Sequence, residues 1–288
     1  MKMKDQCLPC LVNQVIKVAD ITQAPDREAL YRKIFTFLAQ LDFQKTNPEV
    51  IGETFAILKS HLKNDDPYYE VRKYYNMLLM DMSESIEEHI RSHEYPFYQA
   101  VKYAVIGNII DFNPIYNRTM DEIMKFINDA EHLDFTINHV EALQKDIQEA
   151  KTLLYLGDNC GEICLDKLLI KQIKKENPNL KVHFGVRGAA VVNDSIEADA
   201  YDVGIDEYAT IISNGDYALG TVLERTSETF RKVFESADVV IAKGQANYEC
   251  LSEYEKKKIY FLLMAKCQVI ANDIGVATNS LVCLNKNM

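Results

Sequence analysis

Residues 152–175 read TLLYLGDNCGEICLDKLLIKQIKK, and this stretch decides the fold. A short continuous apolar run ends in a glycine-bounded polar turn. A segment with apolar residues at helical spacing follows. The pattern reads as a buried strand, a tight turn and a helix. It recurs downstream: KVHFGVRG leads into NDSIEADAYDVG, YATIISNG into GTVLERTSETFRKVFES, and ADVVIAKG into NYECLSEYE. CQVIAND and SLVCLNK close the chain. Strands that are apolar throughout, alternating with helices, predict an α/β core with a mostly parallel sheet covered on both faces.

Upstream the punctuation changes. Nine of the 11 glycines fall in 151–288, and six of the seven prolines fall in 1–150. Pro25, Pro48, Pro67, Pro96 and Pro114 each precede an amphipathic stretch. Proline costs little in a first helical turn, where the N–H has no intrahelical partner. The segments around 8–19, 30–41, 48–62, 67–91, 95–110 and 118–149 therefore read as successive helices. The boundary between an all-helical domain, 1–150, and an α/β domain, 151–288, is placed near residue 150.

The chain has 288 residues, 43 acidic against 32 Lys and Arg, for a formal charge of −11. Its 48% apolar and 26% charged content fits a folded chain and excludes disordered and low-complexity classes. The acidic balance argues against nucleic acid or an anionic membrane as the main partner. No apolar run is long enough to span a bilayer, and the start has no signal-peptide pattern, so a cytoplasmic location is expected. Seven cysteines, an odd number, argue against a disulfide framework. Cys7-x-x-Cys10 is half of a possible metal or redox site, with two semi-buried packing residues as the plainer reading.

Ligands of open α/β sheets bind beyond the carboxyl ends of strands. The polar residues at those places are Asp158 and Asn159, Arg187, Asn193 and Asp194, Asn214 and Asp216, and Lys243 and Asn247. Carboxylate and amide oxygens suit Mg²⁺, Mn²⁺ and similar hard ions. His183 is the only histidine after residue 150 and falls inside a strand pattern, against a His-based triad or multi-His zinc site. GDNCGE at 157–162 is neither a P-loop nor a three-glycine dinucleotide loop. Asp158 or Asn159 either caps the following helix or faces a ligand, and Asn193 and Asp194 carry the same two readings. Lys243-Gly244 and Arg187-Gly188 each set a cation beside a glycine that permits close approach.

Taken together, GDNCGE at 157–162, VRGAAVVND at 186–194, ISNGDYALGT at 212–221, AKGQANYE at 242–249 and KCQVIANDIGV at 266–276 resemble the metal-dependent damage-control phosphatases. That family was first catalogued as domain of unknown function 89. CLPC at 7–10 is similar to the N-terminal cysteine pair of its prokaryotic branch, and NPEV, DPY and GNIIDF fit its helical portion. The resemblance implies a helical region on a Rossmann-like core and a divalent metal (Mn, Mg, Co or Ni) held by Asp158, Asn159 and Asp194. It makes Lys243 the phosphate-binding candidate. Cys160, Ala189, Ala190 and Leu219 depart from the family pattern, which bears on pocket shape more than on metal binding.

The expected activity is metal-dependent hydrolysis of a small phosphorylated metabolite. Asp158, Asp194 and Lys243 are the catalytic candidates, either aspartate serving as ligand, base or nucleophile. Arg187, Gly188, Lys243 and Asn247 are expected to hold the phosphoryl group, with Asn108 and Asp111 reaching in from the helical region and Glu162 supporting the ligands. The alternatives are an S-adenosylmethionine-dependent carboxyl methyltransferase and a non-catalytic metabolite-binding protein.

Overall fold

The computed structural model describes residues 1–108 and 132–287, with Glu122, Lys125 and Asp129 between them. Asp111 and Pro114 lie outside the described residues. The chain begins with helices α1 (Leu8–Ile21), α2 (Arg27–Leu38), α3 (Asn47–Leu62), α4 (Tyr69–Ser92) and α5 (Pro96–Gly107). Prolines open α1, α3 and α5 within their first two positions. Thr46 caps α3 reciprocally: its hydroxyl accepts from the Glu49 N–H, and the Glu49 carboxylate accepts from the Thr46 N–H.

The remainder runs β1 (Phe135–Asn138), α6 (Val140–Glu149), β2 (Thr152–Leu156), α7 (Glu162–Glu176), β3 (Lys181–Val186) and α8 (Glu197–Asp202). Then come β4 (Thr210–Ser213), α9 (Glu228–Ser236), β5 (Val239–Lys243), α10 (Gly244–Leu251), β6 (Ile259–Met264), α11 (Gln268–Ile274) and β7 (Leu281–Asn285). The seven strands form one sheet in the order β1-β7-β6-β5-β2-β3-β4, parallel except for β6 against β7. The α/β class with a mostly parallel sheet and an N-terminal helical region is therefore correct.

Three local readings change. IYFLLM at 259–264, which the alternation passed over, is a fully buried central strand, β6. CQVIAND supplies helix α11 rather than a strand, because its apolar residues meet the sheet on one side only. Within 118–149, FTIN at 135–138 is an edge strand beside β7, ahead of residue 150. Four residues are too few for periodicity to separate from helix.

A continuous core joins the two halves of the sequence. Leu79, Val101 and Ala104 from α4 and α5 share one apolar cluster with Tyr155, Leu165, Ile241 and Leu262. Arg72 reinforces this seam. Its guanidinium is buried and bonds Asp199 at 2.8 Å and both Asp66 oxygens at 2.5 and 2.6 Å. Asn76, one turn along α4, donates to Asp199 and accepts the Gly161 N–H at 2.6 Å. The helical layer is thus fastened to the turn that follows β2. No described helix is long and apolar enough to cross a membrane.

Removing one partner of a buried pair strands the other charge. Arg72→Met is expected to cost about 3 kcal/mol by urea denaturation, with partial recovery on adding Asp199→Asn. An unchanged midpoint would exclude the seam as a stabilising contact.

Candidate functional site

Strand β2 pairs with β3 on one side and β5 on the other, so the strand order reverses there. Such a reversal opens a crevice at the carboxyl ends. The turn after β2 carries Asp158 and Asn159, and β5 ends at Lys243 with Gly244 next. The segment after β3 folds back on the first turn. The Ser195 N–H donates to the Asp158 carbonyl at 2.8 Å, and the Cys160 N–H donates to the Asn193 carbonyl at 2.9 Å. This short ladder sets Asp194 beside Asn159. It also requires φ = +48° at Val192, a strained conformation for a β-branched residue.

The capping readings fall away. Gly161 caps α7 without a side-chain bond, and α8 starts after Ile196, whose N–H Asp199 accepts. Asp158 and Asp194 are left to face each other in the crevice. Arg187 bridges them, with Nε 2.6 Å from Asp194 and a second guanidinium nitrogen 3.5 Å from Asp158. The amide nitrogens of Asn108 and Asn159 stand 3.0 and 2.8 Å from Asp158 Oδ2, and 3.1 and 2.9 Å from Glu162 Oε2. Asn108 Oδ1 is buried and has no hydrogen-bond partner among the described residues.

Lys243 occupies a different place from the one expected. It is fully buried, and its ammonium bonds Glu162 and Asp166 at 2.5 Å each. The two carboxylates enclose its charge, and Lys243 is set behind the cavity lining rather than in it. Gly244 does not open space for a ligand either. A Cβ there would lie 1.9 Å from Asp158 Oδ2, so the Asp158 carboxylate fills that space. The other anion candidates are likewise engaged. The Gly188 N–H is shared by the Asp216 carbonyl and Asn214 Oδ1, and Asn247 is buried, donating to the Gly157 and Lys243 carbonyls. Arg187 is spent on the two aspartates.

Burial and then the neighbouring carboxylates Asp194 and Glu162 push the Asp158 pKa well above the usual range. Burial also raises Asp194, against the opposing Arg187 charge. Burial acts the same way on Glu162, but the Lys243 ammonium outweighs it and holds that carboxyl low. Asp166 is raised by burial to about 6. The cluster thus sets four buried carboxyl groups against two buried cations, so the acidic groups outnumber the basic ones by two.

Asp158, Asn159, Asp194 and Asn108 line a cavity of about 430 Å³ that the helical layer roofs with Asn47 and Ile51. Lys266 stands exposed at this cavity and makes no salt bridge among the described residues. Its charge reaches Asp158 and Glu162. In the sequence Lys266 stands out only within KCQVIANDIGV; its signal is its place just past the end of β6.

A divalent cation fits this donor set. Asp158 and Asp194 supply hard oxygens, a rotated Asn159 amide would supply Oδ1, and the unpartnered Asn108 oxygen lies beside them. Two positive charges would balance the excess of carboxyl groups and favour the ionised form of Asp158, against the burial that raises its pKa. Among the described residues no three His, Cys, Asp or Glu side chains converge as a metal cluster. Amide and water oxygens would therefore complete the coordination.

The family model for the damage-control phosphatase ARMT1-like domain matches residues 3–282. A damage-control phosphatase of Pyrococcus horikoshii is 32% identical over 293 residues, covering 99% of this chain and 98% of the relative. A damage-control phosphatase of Archaeoglobus fulgidus is 34% identical over 220 residues, 76% of this chain and 75% of the relative. The crystal structure of a DUF89 family protein from Pyrococcus horikoshii matches with a TM-score of 0.89 at 29% identity, covering 99% of both chains.

Glu249, half-buried in the cavity wall, gives a pH test. Burial raises its carboxyl from 4.5 to about 7, against the Asn47 hydrogen bond. The folded chain then keeps a proton that the unfolded chain sheds, so unfolding free energy falls as pH rises through that window. Between pH 5 and 8, Glu249→Gln is expected to gain about 2 kcal/mol relative to the parent in urea melts. Parallel pH profiles would remove that assignment.

Proposed function

The chain belongs to the damage-control phosphatase ARMT1-like domain family, and from that premise we propose that the crevice hydrolyses small phosphomonoesters with a divalent cation. Phosphatase action on damaged metabolites follows from the family. The observation that supports metal dependence is the excess of two buried carboxyl groups over buried cations at the strand ends. A buried excess of that size is costly unless a cation or bound protons compensate it.

In this reading Asp158, Asp194 and Asn159 hold the cation, with Asn108 adjacent. Bound there, a divalent cation supplies charge neutralisation to the phosphoryl group and a lowered pKa to water. Arg187 keeps the two aspartates in one orientation through its bonds to both. Lys243 neutralises Glu162, and Glu162 in turn orients the amides of Asn108 and Asn159. Neither cation is free to bind substrate, so Lys266 takes the phosphate-attracting role first sought at Lys243. Ile51, Val192 and Leu219 offer an apolar wall that excludes water from the reacting group.

The test is phosphate release from a panel of small phosphomonoesters by chelator-stripped protein, re-supplied separately with Mg²⁺, Mn²⁺, Co²⁺ and Ni²⁺. Restored release with the parent and none with Asp158→Ala is the expected result. Release that ignores both metal and Asp158 would overturn the reading, and S-adenosylmethionine binding by calorimetry would then favour the methyltransferase alternative. Lys266→Ala is expected to lower kcat/KM about tenfold or more, mostly through KM, as loss of an electrostatic anchor predicts. Unchanged kinetics in that variant would remove Lys266 from substrate binding.

A further inference from the structure

Tyr155 puts a hydroxyl into the middle of the sheet. It is fully buried, level with Phe184 of β3 and Ile241 of β5. Its ring stacks on Phe184, with centroids 5.5 Å apart and planes 22° apart. Alternate residues of a strand face the same side, so Lys243, two residues past Ile241, shares the face of Tyr155. Helix α7 packs on that face and carries Glu162 and Asp166 one turn apart, on one side of the helix. The Tyr155 hydroxyl donates to Asp166 Oδ1 at 2.7 Å, and the Lys243 ammonium donates to the same oxygen at 2.5 Å. Asp166 Oδ2 is buried and has no partner among the described residues. Burial, with the Asp166 charge adding to it, raises the Tyr155 hydroxyl well above its ordinary range, so it stays a donor.

We propose that Tyr155 and Asp166 are positioning residues for the cation site: Tyr155 fixes Asp166, Asp166 fixes the Lys243 ammonium, and Lys243 holds one oxygen of Glu162 so that the other stays on the amides of Asn108 and Asn159. The consequence for cation binding rests on the reading of the crevice proposed above, but the chain of hydrogen bonds does not. All four members, Tyr155, Asp166, Lys243 and Glu162, lie behind the cavity lining, whereas Asn108 and Asn159 are part of it. Apolar side chains could fill the same space without loss of stability, because desolvation offsets most of the attraction in a buried ion pair. What the ionisable groups add is direction.

The path is short and each link is directional. Lys243 takes Glu162 Oε1 at 2.5 Å, and Oε2 receives the Asn108 and Asn159 amides at 3.1 and 2.9 Å. The end of α5 rests on Glu162 as well, since a Cβ on Gly107 would meet Glu162 Cγ at 3.2 Å. Both bonds of Asp166 fall on one oxygen. Without Tyr155 its carboxylate is held by Lys243 alone and is free to turn about the Cβ–Cγ bond. The ammonium then loses its fixed point, and Glu162 no longer presents Oε2 in a single direction.

The experiment uses the chelator-stripped full chain with Tyr155→Phe, Asp166→Ala or Asp166→Asn, and Ile241→Val as a variant that trims the same core without breaking a bond. Side-chain amide resonances of Asn108 and Asn159 report orientation without metal, calorimetry reports Mn²⁺ affinity, and p-nitrophenyl phosphate reports turnover. In Tyr155→Phe and Asp166→Ala the two amide signals are expected to move and Mn²⁺ affinity to fall about tenfold or more, as loss of an outer-shell partner predicts. Turnover should fall at limiting Mn²⁺ and return at saturating Mn²⁺. Asp166→Asn keeps an acceptor for both donors and should retain the parental amide signals. Parental signals and affinity in Tyr155→Phe and Asp166→Ala would overturn the proposal. So would equal changes in Ile241→Val, which would indicate general loosening, or in Asp166→Asn, which would make charge rather than position the operative property. A parent that binds no Mn²⁺ or releases no phosphate counts against the phosphatase reading alone, since the amide signals still decide the positioning.

Discussion

Everything at the strand ends depends on the ammonium of Lys243 held between Glu162 and Asp166. Three ionisable groups sit there fully buried, and each alone would be costly to charge in a low-dielectric interior. Together they fix the end of β5 against the first turns of α7. Glu162 is then an ionised acceptor with one oxygen left over, and that oxygen receives the amides of Asn108 and Asn159. Arg187 performs the matching task on the other side, holding Asp194 and Asp158. Two cations stand among four carboxyl groups, so the acidic groups of the crevice outnumber the basic ones.

Backbone geometry is shaped to serve that arrangement. Gly244, at φ = +75°, has no side chain where the Asp158 carboxylate lies, and any larger residue would expel it. Val192 is held at positive φ although its β-branched side chain disfavours this. The loop containing it is fixed at both ends by the ladder to Asp158 and Cys160, so the strain is offset by bonds that set Asp194 in place. Gly188 packs backbone to backbone against Gly215, where a Cβ would come within 2.5 Å, and this brings two loops together rather than admitting a ligand.

The helical layer completes the crevice rather than standing apart from it. Asn108 extends from the end of α5 into the carboxylate cluster, and Asn47 and Ile51 roof the cavity from α3. A Cβ on Gly52 would meet the backbone of Ala218 at 2.8 Å, so α3 lies directly on the loop beside the site. Through Arg72, Asn76 and Asp199 the same layer grips the turn at Gly161 and the start of α8. Movement of the helices is therefore coupled to the loops that carry Asp158 and Asp194.

The sequence by itself determined the alternation of strand and helix, the helical character of the first hundred residues and the positions of Asp158, Asn159 and Asp194 at strand ends. These are local properties, written in the spacing of apolar residues and in glycine turns. It missed β6 because IYFLLM, though continuously apolar, follows a lysine run with no glycine turn. Only the tertiary structure decided that Lys243 is enclosed by carboxylates, that Asp158 fills the space beside Gly244 and that Lys266 is the cation left facing the cavity. Which charge pairs with which is a contest among groups far apart in the chain, and burial settles it only after the sheet order has brought them together.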